Sequence, residues 1–171
     1  NVYNDAGILG DAEVWTWDQS DWGGPPATYN GDYLDSTAPE GSESFRVDNP
    51  GTYAGWGVFL IKPAEHTVNL SNYDSLKFWI KTSKTGTNLI KVEIQQTNSS
   101  GPKSTVYFSG STVWQEITVS KSSFSGLDFS QIFSPFMVTM DSLGTFYIDD
   151  VRWTTLNSSP NPPGSLGPTQ Y

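Results

Sequence analysis

Three tryptophans, Trp15, Trp17 and Trp22, fall within eight residues of one another in the stretch AEVWTWDQSDWGGPP. Their neighbours are Thr16, Asp18, Gln19, Ser20 and Asp21 rather than Val, Ile or Leu. A strand buried on both faces reads as a near-continuous apolar run, so at least one of these rings is expected to meet water or a ligand. An indole in that setting stacks its face on C–H surfaces or cations and donates its N–H at the edge. The second chemistry on offer is that of carboxylates. Residues 1–50 hold ten of the 18 acidic groups and a single base, Arg46, so the net charge of -9 arises entirely there. Such a field repels nucleic acid and polyanionic polysaccharides and favours a divalent cation.

Carboxylates also raise the question of catalysis. A glycosidase needs two acids about 5 to 9.5 Å apart across a cleft, one of them with a raised pKa. Of Glu13, Glu40, Glu43, Glu65, Glu93 and Glu116, only Glu93 and Glu116 fall within clear strands. Neither lies in a glycosidase motif, and both read as surface residues. The one histidine, His66, lies in the loop-like KPAEHTVN, with no Ser-His-Asp or zinc arrangement around it. Gly-rich phosphate loops and basic stripes are absent as well. With no cysteine there is no disulfide framework, and no apolar run reaches the length of a membrane span. A first residue other than Met suggests a mature secreted protein or an excised module. The Asn-x-Ser sequons at Asn69, Asn98 and Asn157 matter only in a glycosylating secretory pathway.

The framework that holds these groups reads as strands. From Glu43 onward, ESFRV, WGVFLI, SLKFWIKT, LIKVEIQQ, TVYF, WQEITV, PFMVTM and TFYIDDVRW are apolar and β-branched runs separated by Gly, Pro, Asn and Ser. Helical periodicity is lacking, apart from a turn or two around SFSGLDFSQIF. The expected fold is all-β: a single-domain antiparallel β-sandwich of the jelly-roll kind over residues 1–156. The Pro-, Gly- and Ser-rich residues 157–171 read as a linker or tail. Alternation places Leu76, Phe78 and Ile80 on one strand face and Lys77, Trp79 and Lys81 on the other. Likewise Ile90, Val92 and Ile94 face the core, while Lys91, Glu93 and Gln95 face away. If the two strands share a sheet, Trp79, Glu93 and Gln95 share an outer face. A ring among long polar side chains suits a sugar, whose C–H face stacks while its hydroxyls present at the edge.

The order and spacing of VYND, VWTW, APEGSESFRV, GWGVFL, NLSNYDSLKFWIKT, WQEITVSKSSF and TFYIDDVRW over roughly residues 1–154 resemble the β-jelly-roll carbohydrate-binding modules of secreted bacterial polysaccharide hydrolases. The resemblance implies a non-catalytic module that is covalently linked to an enzyme and docks on plant or algal β-glycans. It also implies a structural calcium ion between the first strand, the EGSES turn and the final IDD. The matching groups are Asp5, Glu43 and Asp149 or Asp150. Adjacent strand residues point to opposite faces, so both aspartates enter one site only through a bulge, and Asp149 is favoured. By the same resemblance Trp114 and Trp153 are structural.

Among the remaining rings, at least one of Trp15 and Trp17 is expected in the core. Trp22 beside Gly23 and Gly24, and Trp56 between Gly55 and Gly57, have the flanks of exposed loop rings. With Trp79, Glu93 and Gln95 they are the expected ligand-binding residues, and Tyr33 and Tyr53 are weaker candidates. A neutral ligand such as β-glucan, cellulose, xyloglucan or xylan is expected, because the net charge opposes anionic glycans. The alternatives are a small jelly-roll glycanase or lyase, and a cell-surface module whose aromatic face meets a protein.

Overall fold

The computed structural model describes residues 1–4 and 7–155. Asp5, the expected boundary at residue 156 and the tail 157–171 lie outside the described residues. Every run read as a strand from Glu43 onward is one. The strands are β1 (Tyr3–Asn4), β2 (Gly7–Ile8), β3 (Glu13–Asp18), β4 (Thr28–Leu34), β5 (Glu43–Asn49), β6 (Ala54–Phe59), β7 (Ser75–Thr82), β8 (Gly86–Gln96), β9 (Lys103–Gly110), β10 (Gln115–Ser120), β11 (Ile132–Met140) and β12 (Gly144–Thr154). Helical structure among the described residues is confined to two short 3₁₀ turns, Gln19–Trp22 and Lys121–Ser123.

All strand pairings among the described residues are antiparallel, and they form two sheets. One has the order β3-β6-β11-β8-β9. In the other, β12 pairs with β7 along one side and β10 lies beyond it. On its other side β12 pairs with β5 and then β1, which continue to β4 and β2 respectively. This is the antiparallel β-sandwich that alternating short runs demand, because each sheet can bury only one full face against a partner. The expected inward sets hold: Leu76, Phe78 and Ile80 from β7 and Ile90, Val92 and Ile94 from β8 are buried.

Aromatic rings fill the middle of the sandwich. Trp56 stacks on Phe45 at 4.1 Å and meets Tyr3 and Phe136 at 5.6 and 5.4 Å, and Phe78 meets Phe136 at 5.4 Å. Trp56 is 0% exposed, contrary to its expected place in an open loop. Its flanking glycines belong to a central strand, where alternation turns Trp56 inward and both glycines outward. Trp153 closes the final strand as expected. It packs on Phe124 and Phe129 and donates its indole N–H to the Pro135 carbonyl at 3.1 Å.

Sheet membership overturns one expectation. β7 belongs to the larger sheet and β8 to the smaller, so Trp79 and Glu93 point away from the core on opposite sides of the molecule. The alternation along each strand is as read. What fails is the assumption that the two strands share a sheet.

Candidate functional site

The outward side of the five-stranded sheet is arranged in rows fixed by strand register. One row runs Trp15, Gly57, Met137, Glu93 and Thr105 across β3, β6, β11, β8 and β9. The next runs Trp17, Gly55, Thr139, Lys91 and Tyr107. Each row crosses four strand spacings, about 19 Å. Aromatic and apolar side chains occupy the β3 and β6 end, polar ones the β8 and β9 end.

Both glycines lie within this floor. A Cβ on Gly55 would stand 2.6 Å from the Trp17 indole nitrogen, and one on Gly57 would stand 2.6 Å from Met137 Cγ and 3.0 Å from a Phe59 ring carbon. Neighbouring side chains therefore lie down over the bare strand, which is why β6 and β11 are buried on both sides. Trp15 stacks on Phe59 at 4.7 Å with 24° between the rings, and Trp17 meets Phe59 edge-on at 6.3 Å. Trp15 is 39% exposed and Trp17 is half-buried. Neither ring lies between the sheets, because register pairs each with an outward glycine of β6; of the two, Trp17 comes nearer the expected core place, packed against the buried cluster from its outer side.

At the polar end Glu93 faces Lys91 at 3.3 Å and accepts from the Thr105 hydroxyl at 3.2 Å. Tyr107 beside them is 53% exposed. Gln95 does not join this group. It is 2% exposed, and its amide donates to the Ser99 and Gly101 carbonyls, so it holds the β8–β9 turn instead of reaching a ligand.

Trp22 follows β3 on a 3₁₀ turn and is 85% exposed. The turn that carries it is held firmly. Asp18 accepts from the backbone N–H groups of Ser20 and Ala27 at 2.7 and 2.8 Å, and Gly23 closes the turn in the left-handed region at φ 82°. The Gln19 side chain runs between Gly24 and Gly51, donating to the Pro25 carbonyl and accepting from Thr52 N–H. Burial pushes the Asp18 carboxyl up, but hydrogen bonds from Ser20, Ala27 and Tyr29 outweigh that and leave it below the usual range. Tyr53 is half-buried in the adjoining turn.

The outward side of the larger sheet also carries aromatic rings, but they are engaged. The Arg46 guanidinium lies over Tyr33 at 4.8 Å and Tyr147 at 5.8 Å, and the Lys81 ammonium lies over Tyr147 and Trp114 at 4.6 and 4.8 Å. The loop between β4 and β5 closes on this face. Asp35 pairs with Lys81 at 2.8 Å, and Thr37 accepts from the Trp114 indole at 3.3 Å. Trp114 thus packs where β10 begins, as expected. Trp79 is half-buried here, opposite Asp149 and Glu116 in register. Tyr33 and Trp79 are therefore remote from Trp15, Trp17 and Trp22.

The same register separates the two glutamates that a glycosidase would need. Glu93 and Glu116 stand on opposite outer faces of the sandwich, whose sheets alone are about 10 Å apart. They cannot flank one bond.

The acids near the end of β12 divide at a bulge. Register shifts between Asp149 and Arg152, and Asp150 takes φ 44°. Asp149 is fully buried and accepts from the Glu40 backbone N–H at 2.9 Å. Asp150 turns to Arg152, which also pairs with Glu116. Burial pushes the Asp150 carboxyl up to about 6, with Arg152 opposing and Glu40 and Glu116 adding to the shift. Glu43 begins β5 and is half-buried. Among the described residues no three His, Cys, Asp or Glu side chains converge as a metal site.

Trp15, Phe59, Lys91, Thr105 and Tyr107 are the site residues that sequence reasoning missed, together with the outward placement of Trp17. The signal for two of them was present. In VWTWD and GWGVF, alternation puts Trp15 with Trp17 and Gly55 with Gly57, and glycine within a strand marks close approach of another group.

Comparison with known proteins bears on what such a face does. Residues 8–155 match the family model described as carbohydrate binding domain 30. No curated protein matches the chain. Among solved structures, a family 11 carbohydrate-binding module from Clostridium thermocellum in complex with a β-1,3-1,4-mixed-linked tetrasaccharide is similar at TM-score 0.64 and 16% identity, over 89% of this chain and 93% of that one. The family 11 module of a cellulosomal cellulase of the same organism reaches TM-score 0.66 at 16% identity, over 94% and 97%. A family 30 module of another cellulosomal cellulase of Clostridium thermocellum reaches 0.57 at 17%, over 77% and 84%. At these identities the likeness establishes the fold.

Proposed function

The chain belongs to the carbohydrate-binding domain 30 family, a non-catalytic polysaccharide-binding module, and from that premise we propose that it holds a neutral β-glycan on the open face of its five-stranded sheet. The observation that carries this reading is the pair of registered rows: Trp15 and Trp17 in register with Gly57 and Gly55 at one end, Glu93, Lys91, Thr105 and Tyr107 at the other. Rings stack on the C–H faces of pyranoses, and the polar groups bond to hydroxyls at the ring edges. The length of a row suits several linked sugars rather than one. A tetrasaccharide of mixed β-linkage is bound by one similar module. We include β-glucan, cellulose, xyloglucan and xylan as ligands, and the acidic charge disfavours anionic glycans. Trp22 extends the surface beyond the end of β3.

The proposal further includes a calcium ion at the junction of the first strand, the turn before β5 and β12. Asp149 is its buried carboxylate, with Asp5, Glu43 and backbone carbonyls as the remaining ligands. The anchoring of Asp149 to the Glu40 backbone supports this placement. We also place the module outside the cell and on a polysaccharide-degrading enzyme, a reading supported by the cellulosomal cellulases that carry the similar modules.

Affinity electrophoresis against β-glucan, xyloglucan and xylan tests the site. Retardation by at least one neutral glycan is expected, and Trp15→Ala with Trp17→Ala should remove most of it. Equal retardation of the double variant and the wild type would move the site elsewhere.

A further inference from the structure

Trp15 and Trp17 are two residues apart on one strand face, yet they are held differently. The Trp17 indole N–H donates to the Thr139 hydroxyl at 3.1 Å, reaching across β6 to β11. Thr139, Gly55 and Trp17 are in register on three successive strands. A Cβ on Gly55 would come within 2.6 Å of the Trp17 nitrogen and 2.7 Å of the Thr139 oxygen, so only a bare strand lets the two meet. Thr139 itself, at the N–H edge of the ring, is 2% exposed and out of a ligand's reach. Trp15 stacks on Phe59, and its indole N–H has no hydrogen-bond partner among the described residues.

We propose that Thr139 and Gly55 are positioning residues for glycan binding, locking the Trp17 ring in one orientation with its N–H bonded to the sheet. Trp17 then offers a sugar a fixed face and no donor, while Trp15 keeps its N–H for the ligand. A ring already held in its bound orientation loses little freedom when a sugar settles on it, so the lock raises affinity without touching the sugar. The inference rests on the reading of the open face as the glycan surface.

The experiment is a double-mutant cycle on the whole chain with a soluble β-1,3-1,4-glucan, read by calorimetry and, without ligand, by near-UV circular dichroism. Gly55→Ala also meets the Val138 carbonyl at 2.4 Å and would shift strand pairing, so Thr139→Val carries the test. Ordering one freed side chain on binding corresponds to a roughly twofold to tenfold weaker affinity. Thr139→Val should show that loss together with a reduced tryptophan signal in the free protein, and Thr139→Ser should restore both. In a Trp17→Phe background, where no N–H exists to be held, Thr139→Val should change neither readout further. An equal effect of Thr139→Val in both backgrounds, or none in the wild type, overturns the lock. Unaltered binding by Trp15→Ala and Trp17→Ala overturns instead the reading of the face on which the lock rests.

Discussion

The two outer faces of this sandwich are both rich in aromatic rings, and only one of them is open. On the larger sheet Tyr33, Tyr147 and Trp114 are interleaved with Arg46 and Lys81, and the loop carrying Asp35 and Thr37 is bonded down across them. On the smaller sheet Trp17 lies against Gly55 and Trp15 stacks on Phe59 and stays exposed, with no cation or loop across them among the described residues. A ring's identity therefore says little about its use. What distinguishes the faces is whether the chain's own cations and loops already occupy the ring surfaces.

The largest effect should come from neither face. Trp56→Ala, between the sheets, is expected to lower stability by about 3 to 5 kcal/mol, as loss of a large aromatic core side chain does. Chemical denaturation measures it. A loss below about 1 kcal/mol would mean that Trp56 is not the ring that separates the two faces.

Next in size is the ion proposed beside the covered face. Calcium at a hundredfold excess over its dissociation constant should add about 2.7 kcal/mol to stability, so EDTA should lower the melting temperature. Asp149→Ala should lower it too, and should abolish the difference made by EDTA. A wild type that melts alike with and without EDTA would leave the covered face held by protein contacts alone.

The comparison itself is sharpened by ring substitutions on each side. Each stacked ring contributes about 0.5 to 1.5 kcal/mol, so Trp15→Ala with Trp17→Ala should weaken glycan binding by about tenfold or more. Trp79→Ala and Tyr33→Ala should leave affinity unchanged and cost only stability. Comparable affinity losses on both sides would break the distinction between an open and a closed face.

The smallest effect concerns the turn that presents Trp22. Asp18 titrates lower in the folded protein than in the unfolded chain, so its contribution is present above the usual carboxylate pKa and is lost as pH falls through the folded value. Below about pH 4, Asp18→Asn should therefore flatten the fall of the melting temperature, by a few degrees at most. A profile parallel to the wild type would show that the Trp22 turn does not depend on that carboxylate.

Much of this molecule was legible in its residues. Eight runs from Glu43 onward read as strands and are strands. Leu76, Phe78, Ile80, Ile90, Val92 and Ile94 read as core and are buried, because alternation is a local property of an extended chain. The four earliest strands were harder to see. β4, with the sequence TYNGDYL, mixes Gly, Asn and Asp with its tyrosines and lacks a clean apolar face. Within the site, Glu93 could be assigned outward from its own strand, and Trp22 could be assigned to an exposed turn from its glycines.

The errors share one origin. Trp56 was misread because glycines on either side suggest a loop, whereas in a central strand they are gaps that Trp17, Met137 and Phe59 cover. Trp79 and Glu93 were joined because their strands follow one another in the chain, while β7 and β8 lie in different sheets. The strands, the two faces of each strand and the acidic character of the first fifty residues could be read from the residues alone, since these depend on near neighbours and composition. Which strands share a sheet and which outer face stays open are set by the packed fold. Those outcomes depend on pairings such as Trp17 with Gly55 and Gly55 with Thr139, between residues far apart in the chain, and no local pattern encodes the partner.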